Sequence, residues 1–193
     1  MPLSRRHLLQ ASAAAALAGG ATHPAAAQQD PPMDPVPALP TTPTPGKPGD
    51  FNFLAGEWKI HHLRKPPGKD WDRFTGEATC YTILGGVGSV EELRIPARNF
   101  SGMGLRLLDL KRHVWTDFWV NGQSGVLEPP GQDGSFEQGV GIFTSSYDEN
   151  GVKMLSAGIW DQITPHSCRW RQAVTADGGR TWTHDWIMHW QRA

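Results

Sequence analysis

From Glu57 onward the chain is cut by turn residues so regularly that the intervals between them suit short strands and nothing longer. The turn signals are Pro66–Gly68, Gly85-Gly86, Pro96–Asn99, Asp109–Arg112, Asn121-Gly122, Pro129–Gly134, Asp148–Gly151, Thr164–His166 and Asp177–Gly179. Nine turns delimit ten strands. No stretch after residue 56 has helical periodicity and no strand–helix–strand spacing occurs, which excludes a parallel sheet. One short helical turn is expected at Phe51–Leu54, just ahead of the first strand. Ten sequential antiparallel strands make a sheet large enough to close on itself and hide its edges. The predicted fold is therefore an all-β, up-and-down antiparallel barrel of about ten strands. A barrel wider than eight strands is not necessarily filled by its own side chains, so a cavity is expected inside.

Residues 1–27 read as a removable signal: basic at Arg5-Arg6, apolar from Leu8 to Ala18, with small residues before a cut after Ala25-Ala26-Ala27. Ser4 to Gln10 resembles the twin-arginine signal of bacteria, which exports folded proteins, so a periplasmic or secreted location is expected. The apolar run is too short for a permanent membrane span. Residues 28–49 carry proline at 31, 32, 35, 37, 40, 43, 45 and 48 and read as an extended, disordered linker. The barrel domain is assigned to residues 50–193.

Net charge is −1, and about −3 without the leader arginines, leaving sixteen basic residues against nineteen acidic ones. No Lys/Arg cluster stands out, which argues against a nucleic-acid partner or an anionic membrane. Nine Trp and 22 Gly beside two Tyr point instead to an interior rich in indoles, and an indole suits both cores and ligand pockets.

Side chains alternate along a strand, so parity sorts them by face. In the last strand Trp182, His184, Trp186, Met188, Trp190 and Arg192 share a face, predicted to be inward. By the same rule Trp58, Ile60 and His62 point inward from the first strand. Trp115, Asp117 and Trp119 do so from the fifth, Trp160 from the eighth, and Cys168, Trp170 and Gln172 from the ninth. A bulge would reverse any of these. The expected ligand-binding set is Trp115, Trp119, Trp160, Trp170, His184, Trp186 and Met188, around a small apolar or aromatic molecule held by one or two hydrogen bonds. The competing reading is that the indoles simply fill the barrel and the polar groups pair with one another. The barrel would then act from its surface as an interaction protein that presents loops such as Gly125–Ser135 to a partner, the same irregular segment lying over one barrel mouth as a lid.

Phe53-Leu54-Ala55-Gly56-Glu57-Trp58 resembles the Gly-x-Trp signature of calycins, the group of lipocalins and fatty-acid-binding proteins. With Leu84-Gly85-Gly86, Asp161–Pro165 and Ala176–Trp182, residues 50–193 are similar to a family of uncharacterised bacterial lipocalin-like proteins. The resemblance implies that Trp58 closes one barrel end beneath a last-strand arginine, here Arg192, in a cation–π contact. Thr175–Trp182 also fits the Asp-box pattern, a hairpin locked by its aspartate with the tryptophan packed beneath.

Two chemical readings remain. A barrel enzyme would use His184 as general base, oriented by Asp117 or Glu92, for proton transfer on an apolar substrate. A haem protein, like the nitrobindins within the calycins, would use His184 as the iron ligand. No metal site is indicated, since His61 and His62 are adjacent on a strand and point to opposite faces. Cys80 and Cys168 lie on strands that are not neighbours in up-and-down order and are expected to be buried free thiols.

Overall fold

The structure, a computed structural model, describes residues 33–40 and 44–193; the signal segment 1–27 lies outside them. Ten antiparallel strands run in sequence order round a closed barrel. They are β1 (Gly56–Arg64), β2 (Asp72–Ile83), β3 (Gly88–Ile95), β4 (Phe100–Asp109) and β5 (Val114–Asn121). The second half comprises β6 (Gln132–Glu137), β7 (Val140–Glu149), β8 (Val152–Asp161), β9 (Ser167–Thr175) and β10 (Thr183–Arg192). Among the described residues the remaining regular elements are short 3₁₀ turns, including Asn52–Leu54.

One pair of turns departs from the sequence reading. The turn signals imply a sixth strand between Gly122 and Pro129, but residues 122–131 form a mostly exposed loop touching the sheet through a single Val120–Leu127 bridge. The sixth and seventh strands are instead joined at Gln138-Gly139, both with positive φ. The loop removes one expected strand and the Gln138-Gly139 turn adds one, so the total stays at ten. The missed turn uses Gln in the left-handed region, a residue type that gives little warning of it.

Closure is made by β1, which pairs with β2 on one side and with β10 on the other, Trp58 opposite Arg192 and Ile60 opposite Trp190. The alternation of β1 follows its sequence, with Trp58, Ile60, His62 and Arg64 buried and His61 exposed. Large inward side chains fit because glycines face them from neighbouring strands. A Cβ on Gly102 would stand 2.2 Å from the Trp119 ring, and one on Gly141 would stand 2.5 Å from the Phe136 ring. Gly–aromatic alternation is thus the packing rule of this interior.

The end where β1 starts is plugged by the Asn52–Leu54 turn and its neighbours. Phe51 packs on Trp115, Phe136 and Phe143, and Phe53 on Trp160 and Phe136, with ring centroids 4.9–5.7 Å apart. Arg192 lies 4.0 Å over the Trp58 ring and donates to the carbonyls of Phe53, Ala55 and Pro165, while Trp58 Nε1 donates to Leu54 O at 2.7 Å. One cation therefore holds the lid, the first strand and the β8–β9 turn together.

The described part of the Pro-rich segment runs over the outside of the barrel. Asp34 meets β8–β10, and Pro37, Ala38 and Pro40 share a groove with Ser135, Val140 and Ile142 of β6 and β7. Gly46 N donates to His113 O at 2.7 Å and Gly49 N to Gly86 O at 2.8 Å. Without a ladder the segment makes single hydrogen bonds to successive turns, girdling the plugged end before entering it at Phe51. Thr175–Trp182 forms a hairpin in which Asp177 accepts from Thr175, Arg180 and Thr181, and Trp182 donates to Gly179 O.

Candidate functional site

The lumen is lined by Glu91, Arg106, Trp119, Trp160, Trp170, Trp186, Met188 and Trp190 around a void of about 10 Å³. That is room for one water, against the roughly 300–1,000 Å³ of a ligand pocket. Between these described side chains no ligand-sized space is left, because the indoles pack on each other. Trp58 and Trp190 are 5.9 Å apart, Trp160 and Trp190 5.5 Å, and Trp170 and Trp186 6.0 Å between ring centroids.

Within this apolar packing Arg106 is 1 % exposed. Its Nη2 donates to Glu91, its Nε lies 3.6 Å from Asp117 Oδ1, and its guanidinium stands 5.3 Å from both the Phe51 and Trp160 rings. Neighbouring carboxylates keep it charged, raising its pKa against the burial that opposes them. Arg106 Nη1, Trp160 Nε1 and Trp190 Nε1 are buried donors with no acceptor among the described residues. The lumen is therefore a tightly packed box with donors to spare among the described residues.

Five of the expected ligand contacts, Trp119, Trp160, Trp170, Trp186 and Met188, border this void. Trp115 does not. It sits under Gly46 at the plugged end, where its Nε1 donates to Asp50 at 3.1 Å.

His184 is on the other side of the wall. Asp185 bulges out of the β9–β10 register, so Trp186 pairs with inward Gln172 but His184 with Ala173, and every residue before the bulge changes face. His184 Nε2 lies 3.4 Å from Arg171 and 3.2 Å from the Asp34 carbonyl, on the barrel's outer surface. Glu92 also points outward, hydrogen-bonded to Arg94; the lumenal carboxylate is its neighbour Glu91. Of the proposed acid–base set only Asp117 is inside, and it faces Arg106. The three residues are not brought together. Nor does haem fit this lumen, with about 10 Å³ free and His184 outside.

The inward histidine is His62. Trp186 donates its indole N–H to His62 Nδ1 at 3.2 Å, which leaves the ring proton on Nε2. Phe74 stacks on its face at 4.5 Å, and Arg98 covers Phe74 from the other side at 3.5 Å. Burial, helped by the charges of Arg98 and His61, pushes the His62 pKa from 6.5 down to about 3. The folded state thus refuses a proton that the unfolded chain takes up. This group costs nothing above pH 6.5 and destabilises by ~1.4 kcal/mol for each unit of acidification towards about 3. Urea unfolding of the wild type and H62Q at pH 7, 5 and 4 is expected to show the variant gaining on the wild type as pH falls. Parallel curves would remove His62 as an acid-sensitive group.

The feature that sequence reasoning missed is outside, over β8–β10. Arg169 and Arg171 both bind Asp161, at 2.7 Å in each case, yet Arg171 is 2 % and Asp161 7 % exposed on what is topologically the solvent face. Arg169 Nη2 donates to Asp34 Oδ2 at 2.5 Å, and Arg171 Nη1 to Asp34 O at 2.8 Å. Burial and the adjacent guanidiniums hold His184 below its usual pKa, and Arg169 holds the Asp34 carboxylate down. The signal was available as Arg-x-Arg on β9 with an acidic residue in a proline-rich segment, but nothing in the sequence joins the two.

Cys80 and Cys168 are buried and unbridged, with burial pushing the Cys168 thiol up to about 12 and Cys80 up as well. No protein-family model matches the chain, and no curated protein matches it. Among solved structures it is similar to Rv2717c from M. tuberculosis, with 14% identity and a TM-score of 0.48 over 74% of this chain and 94% of that one. It is also similar to a DUF3598-family protein of unknown function from Nostoc punctiforme, with 12% identity and a TM-score of 0.43. That match covers 80% of this chain and 53% of the other, so the chain spans about half of that protein's length.

Proposed function

We propose that this chain is an exported recognition protein in which a tryptophan-filled barrel is a rigid scaffold and binding takes place on its outer face. The observation that carries this reading is the lumenal void of about 10 Å³, which leaves an apolar ligand no room. The Arg5-Arg6 leader and its small-residue cut site support export. Native mass spectrometry of protein purified from an exporting host, beside its denatured mass, tests both halves. A bare chain beginning after Ala27 is expected; a reproducible non-covalent adduct of several hundred daltons whose release changes the fluorescence of the lumenal tryptophans would end the scaffold reading.

A second reading is favoured by the spare donors Arg106 Nη1, Trp160 Nε1 and Trp190 Nε1. It is an apolar small molecule with an acceptor at its tip, admitted by displacement of an indole. The same spectrum separates the two, because such a ligand survives as the adduct.

A further inference from the structure

We propose that Arg169, Arg171 and His184 form a carboxylate-recognition site for an extended acidic peptide, occupied here in cis by Asp34. The proposal rests on the reading of the barrel as an outward-facing scaffold and names what that face takes. An antiparallel barrel in water has a solvated exterior, where arginines lie free and polar. Here Arg169, Arg171, Asp161 and His184 are each no more than 9 % exposed on that exterior. Two guanidiniums against the single carboxylate of Asp161 leave one positive charge, and Asp34 is the group that neutralises it.

The way Asp34 is read is the way a peptide is read. Arg169 takes its side chain, while Arg171 Nη1 and His184 Nε2 converge on its main-chain carbonyl at 2.8 and 3.2 Å. Recognition of one residue through both carboxylate and backbone distinguishes a peptide from a free acid. The following residues continue the track, with Pro37, Ala38 and Pro40 lying beside outward Ser135, Val140 and Ile142. Ile142 pairs with Ile159, and Ile159 with Arg171, so the segment crosses the strands along one register row. The receptor side is buried while the Asp34 side chain remains 60% exposed, so the occupant can leave without unpacking the barrel. As a tethered occupant it competes at an effective concentration of the order of millimolar, which masks the site in the intact chain.

The test uses the full-length chain and a fluorescein-labelled synthetic peptide of residues 33–40, followed by anisotropy. D34K places a cation against the guanidiniums and frees the site, with D34N as the milder variant; circular dichroism confirms that each is folded. D34K or D34N is expected to bind the peptide at least tenfold more tightly than the wild type. Binding is expected to be lost when the peptide carries asparagine for aspartate, or when R171Q is added to the chain. Equal affinity of wild type and both folded variants would overturn the proposal, as would undiminished binding of the asparagine peptide. Succinate binding as tightly as the peptide would overturn the peptide assignment. A lumenal adduct in the native mass spectrum would end the scaffold reading while leaving this titration to stand or fall by itself.

Discussion

Replacing Arg106 with methionine is expected to cost about 3–5 kcal/mol, the loss that follows when one partner of a buried ionic cluster is removed. Glu91 and Asp117 are 3 % and 4 % exposed, and without Arg106 their charges face an aromatic interior. For a domain of this size the loss corresponds to a fall in melting temperature of about 10 °C or more. The diagnostic comparison is the triple variant E91L/R106M/D117L, in which no uncompensated charge remains. It is expected to recover most of the loss, since apolar replacement of a complete buried cluster is often neutral or better. A single variant within 1 kcal/mol of wild type, by urea unfolding, would mean that water reaches the cluster.

W160A tests the filled interior directly. Trp160 is 1 % exposed and packs between Phe53, Trp190 and Arg106 at the edge of the void. Its removal is expected to cost about 3–5 kcal/mol. A hole of that shape, bordered by the Phe53 and Trp190 rings and the Arg106 guanidinium, fits the group that was cut away and returns a ring to the cation. Free indole at a hundred times its dissociation constant is then expected to restore about 2.7 kcal/mol of W160A stability and none to the wild type. Thermal melts with and without indole give the answer. Stabilisation of the wild type to the same degree would show a chamber already present.

The barrel was legible because its determinants are local. Alternation placed Trp58, Ile60 and His62, then Trp115, Asp117 and Trp119, and again Cys168, Trp170 and Gln172 on the inner face, and the registers of β1, β5 and β9 agree. What parity cannot see is an interruption of parity. The extra residue at Asp185 reverses His184, and neither Asp185 nor its neighbours carry a glycine or proline to mark the bulge. Glu91 and Glu92 differ by one position, so the choice between lumen and solvent turns on where β3 begins. Volume is a sum over the whole ring, and no single strand reveals that glycines such as Gly102 and Gly141 let the aromatics meet in the middle. The Asp34 contact spans more than a hundred residues and joins a proline-rich stretch to a sheet exterior, two regions that sequence patterns treat as inert.

The pairing of β1 with β10 has a consequence for how the molecule is made. Each other neighbour pair in the ring is a hairpin or short meander that can form as soon as it is synthesised. The last seam joins Trp58 to Arg192, and the same arginine secures the lid. Until β10 has been synthesised, the nascent sheet carries two bare edges and an unsecured aromatic plug. A transcript cut short by even one strand yields a chain that is not a smaller barrel but an open template for others like it.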